Sequence, residues 1–119
     1  MKRRNNPYLP TEDDESATFA SALDMMGLTF THVNNEQWTT SWKQKARNKR
    51  LGVRRGVPDY IVIKGDTLYF CEMKRKKGGV VSDDQLAWQD ALRGVKRVKT
   101  AICKGYDEAI AFINDKTVL

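Results

Sequence analysis

Asp59, Glu72 and Lys74 stand at the ends of two strongly apolar runs, "YIVI" (60–63) and "TLYFCEM" (67–73). Both runs have the β-branched and aromatic make-up of strands. Gly65-Asp66 lies between them and forms a two-residue hairpin turn. Lys64 then faces Thr67, opposed residue numbers sum to 131, and Asp59 falls opposite Glu72. Opposed side chains share one face of a hairpin with Cβ atoms roughly 5 Å apart. Lys74, two residues beyond Glu72, projects from that same face. A slip of one residue would send the two acids to opposite sides.

Two carboxylates at that spacing repel, and one of them keeps its proton unless something compensates. A divalent cation is the natural compensation, and Mg²⁺ takes a few carboxylate oxygens together with water and phosphate oxygens. Such an ion lowers the pKa of a bound water and polarises a phosphoryl group. Lys74 can orient the attacking water or neutralise the charge that develops on phosphorus. The pattern predicts a metal-dependent phosphodiesterase. A Glu-x-Lys triplet alone reads as a solvated ion pair at a strand end; Pro58-Asp59 and the hairpin register raise it above that.

The rest of the chain must hold these residues in place. Residues 1–10 form a basic, Pro-containing arm, followed by a single domain over 11–119. Thr11 caps a helix whose acidic first turn, Glu12 to Glu15, complements the positive helix end. Phe19, Ala20, Leu23 and Met26 form its apolar stripe, Gly27 stops it, and "LTFTHV" (28–33) alternates as a strand. Residues 34–55 predict a short helix and then a mobile basic loop. Ser82 and Gln85 make a capping box for a helix over 83–93, ended near Gly94. "VKTAIC" (98–103) is a strand, and 106–115 a terminal helix with Ala109, Ile110 and Ile113 inward. The order αβββαβα predicts an α/β fold, a mixed sheet flanked by helices.

The chain has 119 residues, 40% of them apolar, which suffices for one modest core. Its net charge of +6 suits a polyanionic partner such as nucleic acid. No apolar run reaches the length of a membrane span, and the N-terminus has no apolar signal core. Cys71 and Cys103 fall in strands without metal-type spacing and read as reduced core thiols of a cytoplasmic protein. A single His, His32, excludes a His-based metal cluster and reads as a strand residue with a satisfied hydrogen bond.

At "GVRRGVPD" (52–59), "EMK" (72–74) and "SDDQLAW" (82–88) the chain resembles the VRR-NUC family of the PD-(D/E)XK nuclease superfamily. The likeness extends weakly to "AICKGYDEAIAFI" (101–113) and covers most of the chain. It implies a restriction-endonuclease-like core and Mg²⁺- or Mn²⁺-dependent cleavage of DNA, in the manner of stand-alone phage and bacterial members. It assigns metal binding to Asp59, Glu72 and the backbone carbonyl of Met73, makes Lys74 the catalytic lysine, and gives Gln85 a supporting role. The family also has a glutamate on its first helix. Glu15 and Glu12 both compete for that place, with preference to Glu15 because Glu12 would put Ser16 where a glutamine is usual. "HVNNE" resembles the family's stretch after the first strand, so Asn34 or Asn35 is expected in the substrate channel.

Lys43, Lys45, Arg47, Lys49, Arg50, Arg54 and Arg55 are expected to grip phosphates, as are Arg75, Lys76 and Lys77 beside the site. Trp38 and Trp42 could stack on an unpaired base, but are read as core residues. Gln85 can serve the capping box and the site together. Phosphate-directed contacts carry little sequence information, so cleavage by DNA structure is expected. The resemblance to stand-alone family members implies a Holliday-junction resolvase, whose cuts on two symmetric strands call for a homodimer with two sites. The alternatives are a monomeric nickase or flap nuclease, an RNA-directed nuclease, and a non-catalytic DNA-binding module. No small-molecule cofactor and no membrane partner is expected.

Overall fold

Thr11 opens α1 (Glu12–Met25) with a capping box: its hydroxyl accepts the Asp14 N–H at 3.1 Å, and the Asp14 carboxylate accepts its N–H at 3.0 Å. The computed structural model describes residues 9–33 and 40–116, so most of the N-terminal arm, Asn34, Asn35 and Trp38 lie outside the described residues. The buried stripe of α1 is Glu15, Phe19 and Leu23, at helical spacing, while Met26 is the exposed C-cap. Gly27 follows with φ of 70°, a conformation glycine adopts without strain, and the chain turns into β1 (Thr29–His32).

After α2 (Trp42–Arg50) come β2 (Tyr60–Lys64), β3 (Thr67–Lys74), α3 (Asp83–Arg93), β4 (Val98–Lys104) and α4 (Tyr106–Ile113). The order is thus αβαββαβα, with α2 standing where the sequence predicts a short helix before a loop. The sheet runs β1-β2-β3-β4; β1, β2 and β3 are antiparallel neighbours, and β4 lies parallel to β3. The β2–β3 register is the one the Gly65-Asp66 turn predicts, from Lys64 opposite Thr67 to Tyr60 opposite Cys71.

One face of the sheet carries the core. Tyr60, Val62, Tyr69, Cys71 and Met73 are buried there with Cys103, and α1 and α4 cover them. Phe19 meets the Tyr60 ring edge-on at 5.2 Å, and Phe112 meets Tyr69 at 5.5 Å. Both cysteines are free thiols inside this layer. A hydrogen bond with Cys103, and then burial, push the Cys71 thiol well above the ordinary thiol range. His32 is exposed and rests against the Tyr60 ring at 4.9 Å.

The other face carries the opposed acids, and α3 covers it over β4. Gln89 of α3 is buried and accepts the Thr100 hydroxyl at 3.0 Å, which docks the helix on β4. At the far end of the sheet, α4 stops at Ile113 rather than 115, because Asp115 turns back into a cationic cluster. It bonds Tyr69 and Lys99 at 2.7 Å each and Lys64 at 3.1 Å. No helix of the described residues is long and apolar enough to cross a membrane.

Candidate active site

Pro58 ends the β2–β3 ladder in a way that arms the site. Ladder parity points the N–H and C=O of Met73 towards β2, opposite Pro58. Proline has no N–H to give, so it offers nothing to the Met73 carbonyl. The Asp59 side chain supplies the other half of the missing pairing: its Oδ2 accepts the Met73 N–H at 2.9 Å. The Asp59 carbonyl accepts the Val33 N–H at 2.6 Å, so its main chain still belongs to the β1 side. Asp59 is therefore pinned at both ends and half-buried.

Across from it, Glu72 is 3% exposed. Its Oε2 accepts the Gln85 side-chain amide at 2.9 Å and lies 3.6 Å from Lys74 Nζ. Its Oε1 is buried without a hydrogen-bond partner among the described residues. Burial raises the Glu72 pKa to about 8, helped by the Asp59 charge and opposed by Lys74. The two carboxyl groups are close enough to hydrogen-bond when one of them is protonated. The two acids and the lysine thus share one face, as the hairpin register predicts.

Of the two first-helix candidates, Glu12 is the one that feels this pair. Burial and then the Asp59 charge raise its pKa, while Lys74 lowers it. Glu15, which the sequence reading prefers, is turned elsewhere. It is 5% exposed, and its Oε1 accepts the Tyr106 N–H at 2.7 Å. Gly105, the N-cap of α4, has no side chain to do this, and Glu15 takes over the cap.

Gln85 uses both ends of its amide. Oε1 accepts the Ser82 N–H at 3.0 Å in the capping box, which leaves Nε2 to donate to Glu72. Gly56 holds this helix end in place. At φ of 88° its α-carbon lies so near α3 that a Cβ would stand 2.5 Å from the Asp84 carbonyl carbon and 2.7 Å from the Gln85 nitrogen. This contact is invisible to local sequence patterns; the Gly ahead of Pro58-Asp59 is its one trace. Gly79 packs similarly on the stem of Lys74, where a Cβ would lie 3.1 Å from that of the lysine.

The cationic candidates divide. Lys43, Lys45, Arg47, Lys49 and Arg50 all lie exposed on α2, and Arg54 and Arg55 on the loop that leads to Gly56. Arg75 and Lys77 are exposed beside the site, whereas Lys76 pairs with Asp107 at 3.1 Å over the start of α4. Trp42 is not a core residue as expected: it is 82% exposed, because α2 packs on no other described helix or strand.

Whether these residues suit a divalent ion turns on Glu72. A buried carboxylate oxygen with no donor, facing a second carboxylate, is the donor set such an ion satisfies. Among the described residues no three His, Cys, Asp or Glu side chains form a ready cage. Any ion here would therefore draw on main-chain, water or phosphate oxygens as well.

No family model matches the chain, and no curated protein matches it. A solved structure described as a VRR_NUC domain protein does, with a TM-score of 0.70 and 19% identity over 97% of this chain and 89% of that one. The described residues thus form a mixed α/β fold, a four-stranded sheet with four helices of which α1, α3 and α4 pack on it, shared with a VRR_NUC domain protein. That is the fold implied by "GVPD", "EMK" and "SDDQLAW".

Proposed function

We propose that the chain is a VRR-NUC nuclease, a Mg²⁺- or Mn²⁺-dependent endonuclease that hydrolyses phosphodiester bonds of branched DNA. The observation that carries this reading is the facing pair Asp59 and Glu72, with Lys74 3.6 Å from Glu72 and Glu72 Oε1 buried without a partner among the described residues. The fold shared with a VRR_NUC domain protein supports it.

Asp59, Glu72 and the Met73 carbonyl would hold the ion, with Glu12 as the first-helix carboxylate near it. When bound, the ion supplies a hydroxide-like nucleophile near neutral pH and offsets charge on the phosphoryl oxygens. The chain's own groups do the rest. Lys74, kept on station by Glu72 and by the close approach of Gly79, places a positive charge where the pentavalent phosphorus gathers negative charge. Gln85 fixes the Glu72 rotamer, and the Met73 N–H fixes Asp59. Water adds to phosphorus, the bond to the leaving oxygen breaks, and that oxygen takes up a proton.

Cutting two symmetric strands of a Holliday junction requires two such sites, hence a homodimer in this reading. The two free, buried thiols accord with the reducing cytoplasm of a bacterium or a phage-infected host.

The test is incubation with a mobile four-way junction, with and without Mn²⁺, mapping cuts on every strand, alongside Asp59→Ala and Lys74→Ala. Paired, symmetric, metal-dependent cuts lost in both variants are expected. Single unpaired nicks would replace the resolvase by a nickase. Binding without cleavage by wild type under either metal would refute the enzyme.

A further inference from the structure

Helix α2 is anomalous in this fold. It carries five cations and no acid in nine residues, "WKQKARNKR". It packs on no other described helix or strand, and every residue but Asn48 is exposed. A helix this short is marginal in water without tertiary packing. Ser41 caps its start by accepting the Gln44 N–H at 3.2 Å, and Gln44 donates to Asn48 at 2.8 Å, yet no apolar face of a described helix or strand holds it. At its first turn stands Trp42, 82% exposed, with Lys45 Nζ 5.0 Å from the ring centroid on one side. Leaving an indole in water forgoes the burial that makes tryptophan worth placing.

The excursion that bears α2 is rooted at the site. It leaves from Val33, whose N–H is bonded to the Asp59 carbonyl, and returns through Gly56, seated on the main chain of Asp84 and Gln85. Whatever α2 binds is thereby tethered, through the short loop from Arg50 to Gly56, to the helix that bears Gln85.

We propose that α2 is a nucleic-acid docking arm: its cations hold phosphates while the Trp42 indole stacks on an unpaired base, so that strand junctions and gaps are drawn to the site. This deepens the nuclease reading by naming the element that recognises substrate, and depends on it only for the polyanion being a nucleic acid. Charge selects the occupant. A second copy presents the same five cations and is repelled, and with only Trp42 and Ala46 apolar the helix lacks the apolar face that insertion into a lipid surface needs. Stacking on a base asks only for an exposed aromatic face within a positive field, and tolerates any base.

The test measures binding in chelator, where no cutting occurs, to a blunt duplex, a gapped duplex and a single strand of one sequence, each as DNA and as RNA. Trp42→Ala should weaken the gapped and single-stranded ligands roughly tenfold and leave the blunt duplex within about twofold, since phosphate contacts supply that term. Trp42→Phe should restore most of the loss. Arg47→Ala should weaken all three ligands alike and lower the salt slope by about one. Thermal melts of the variants should match wild type, because α2 supports no other described helix or strand. Equal loss on all ligands with Trp42→Ala, no loss on any, or preferential binding to anionic phospholipid vesicles overturns the proposal. Repeating the series with Mn²⁺ separates the two readings. Wild type that binds but never cuts refutes the nuclease alone; wild type that cuts, with unchanged gap preference in Trp42→Ala, refutes the arm alone.

Discussion

The Gln85 amide donates to Glu72 Oε2 at 2.9 Å while its own oxygen accepts the Ser82 N–H at 3.0 Å, so one side chain caps α3 and steadies the buried acid. The two roles are separable. Ser82→Ala removes the hydroxyl that accepts the Gln85 N–H and should cost about 1 kcal/mol of stability, with cleavage largely kept. Gln85→Ala should cost similar stability but lower metal affinity or cleavage 10–100-fold, roughly the effect of losing a partner that orients a ligand. Melting curves and cleavage rates on the two variants check this; equal activity in both would remove Gln85 from the site.

Burial and the Asp59 charge raise Glu72 to about 8, against an ordinary value of 4.5. Between those values the folded protein binds a proton that the unfolded chain has released. The stability this contributes is full below about pH 4.5 and is lost as pH rises through about 8. Metal-free protein should therefore melt progressively lower from pH 5.5 to pH 8.5, and Glu72→Gln should flatten that trend. Mn²⁺ should restore stability most at the upper end, where the carboxylate is ionised. Parallel pH profiles for wild type and Glu72→Gln would contradict the buried-acid account.

The hairpin shows what sequence alone can place. A two-residue turn with Gly at its first position sets the register of two strands, and the register sets which side chains share a face. Capping boxes at Thr11 and Ser82 mark helix starts because their partners lie three residues away. What local patterns leave open is long-range. The spacing of Trp38 and Trp42 fits a buried stripe as well as an exposed one, and only the absence of a packing partner among the described helices and strands puts Trp42 in solvent. Glu12 and Glu15 differ by less than one helical turn, so which meets Asp59 depends on how α1 sits against α4. The end of α4 depends on Lys64, Tyr69 and Lys99, distant in sequence from Asp115.

Gly56 offers a test of loop-to-helix seating. Ala there meets both a left-handed φ of 88° and the main chain of Asp84 at 2.5 Å. Gly52, at φ of 86°, has the same backbone demand and open space around it. Gly52→Ala should cost about 1 kcal/mol, the backbone strain alone. Gly56→Ala must also shift the start of α3, and with it Gln85, so it should lose more stability and at least tenfold in cleavage, by analogy with direct loss of the Gln85 contact. Equal melting and equal rates in the two variants would show that the seat is soft.

The last prediction separates the two glutamates of α1. Glu15 accepts the Tyr106 N–H in a buried position where Gly105 provides no cap, so Glu15→Ala leaves that N–H unsatisfied at about 1–3 kcal/mol. Glu15→Gln keeps an acceptor oxygen and loses only the charge at the α4 N-terminus, worth about 0.3–1 kcal/mol. Glu15→Gln should therefore stay folded and cut DNA at a rate near wild type. Glu12→Gln should show the opposite pattern, since Glu12 lies in the field of Asp59 and Lys74. Its stability should change by no more than the roughly 0.3–1 kcal/mol of one first-turn charge, while metal-dependent cleavage falls. If Glu15→Gln instead abolishes cleavage with its melting curve intact, the first-helix carboxylate of the site is Glu15, and the helix must reseat when substrate binds.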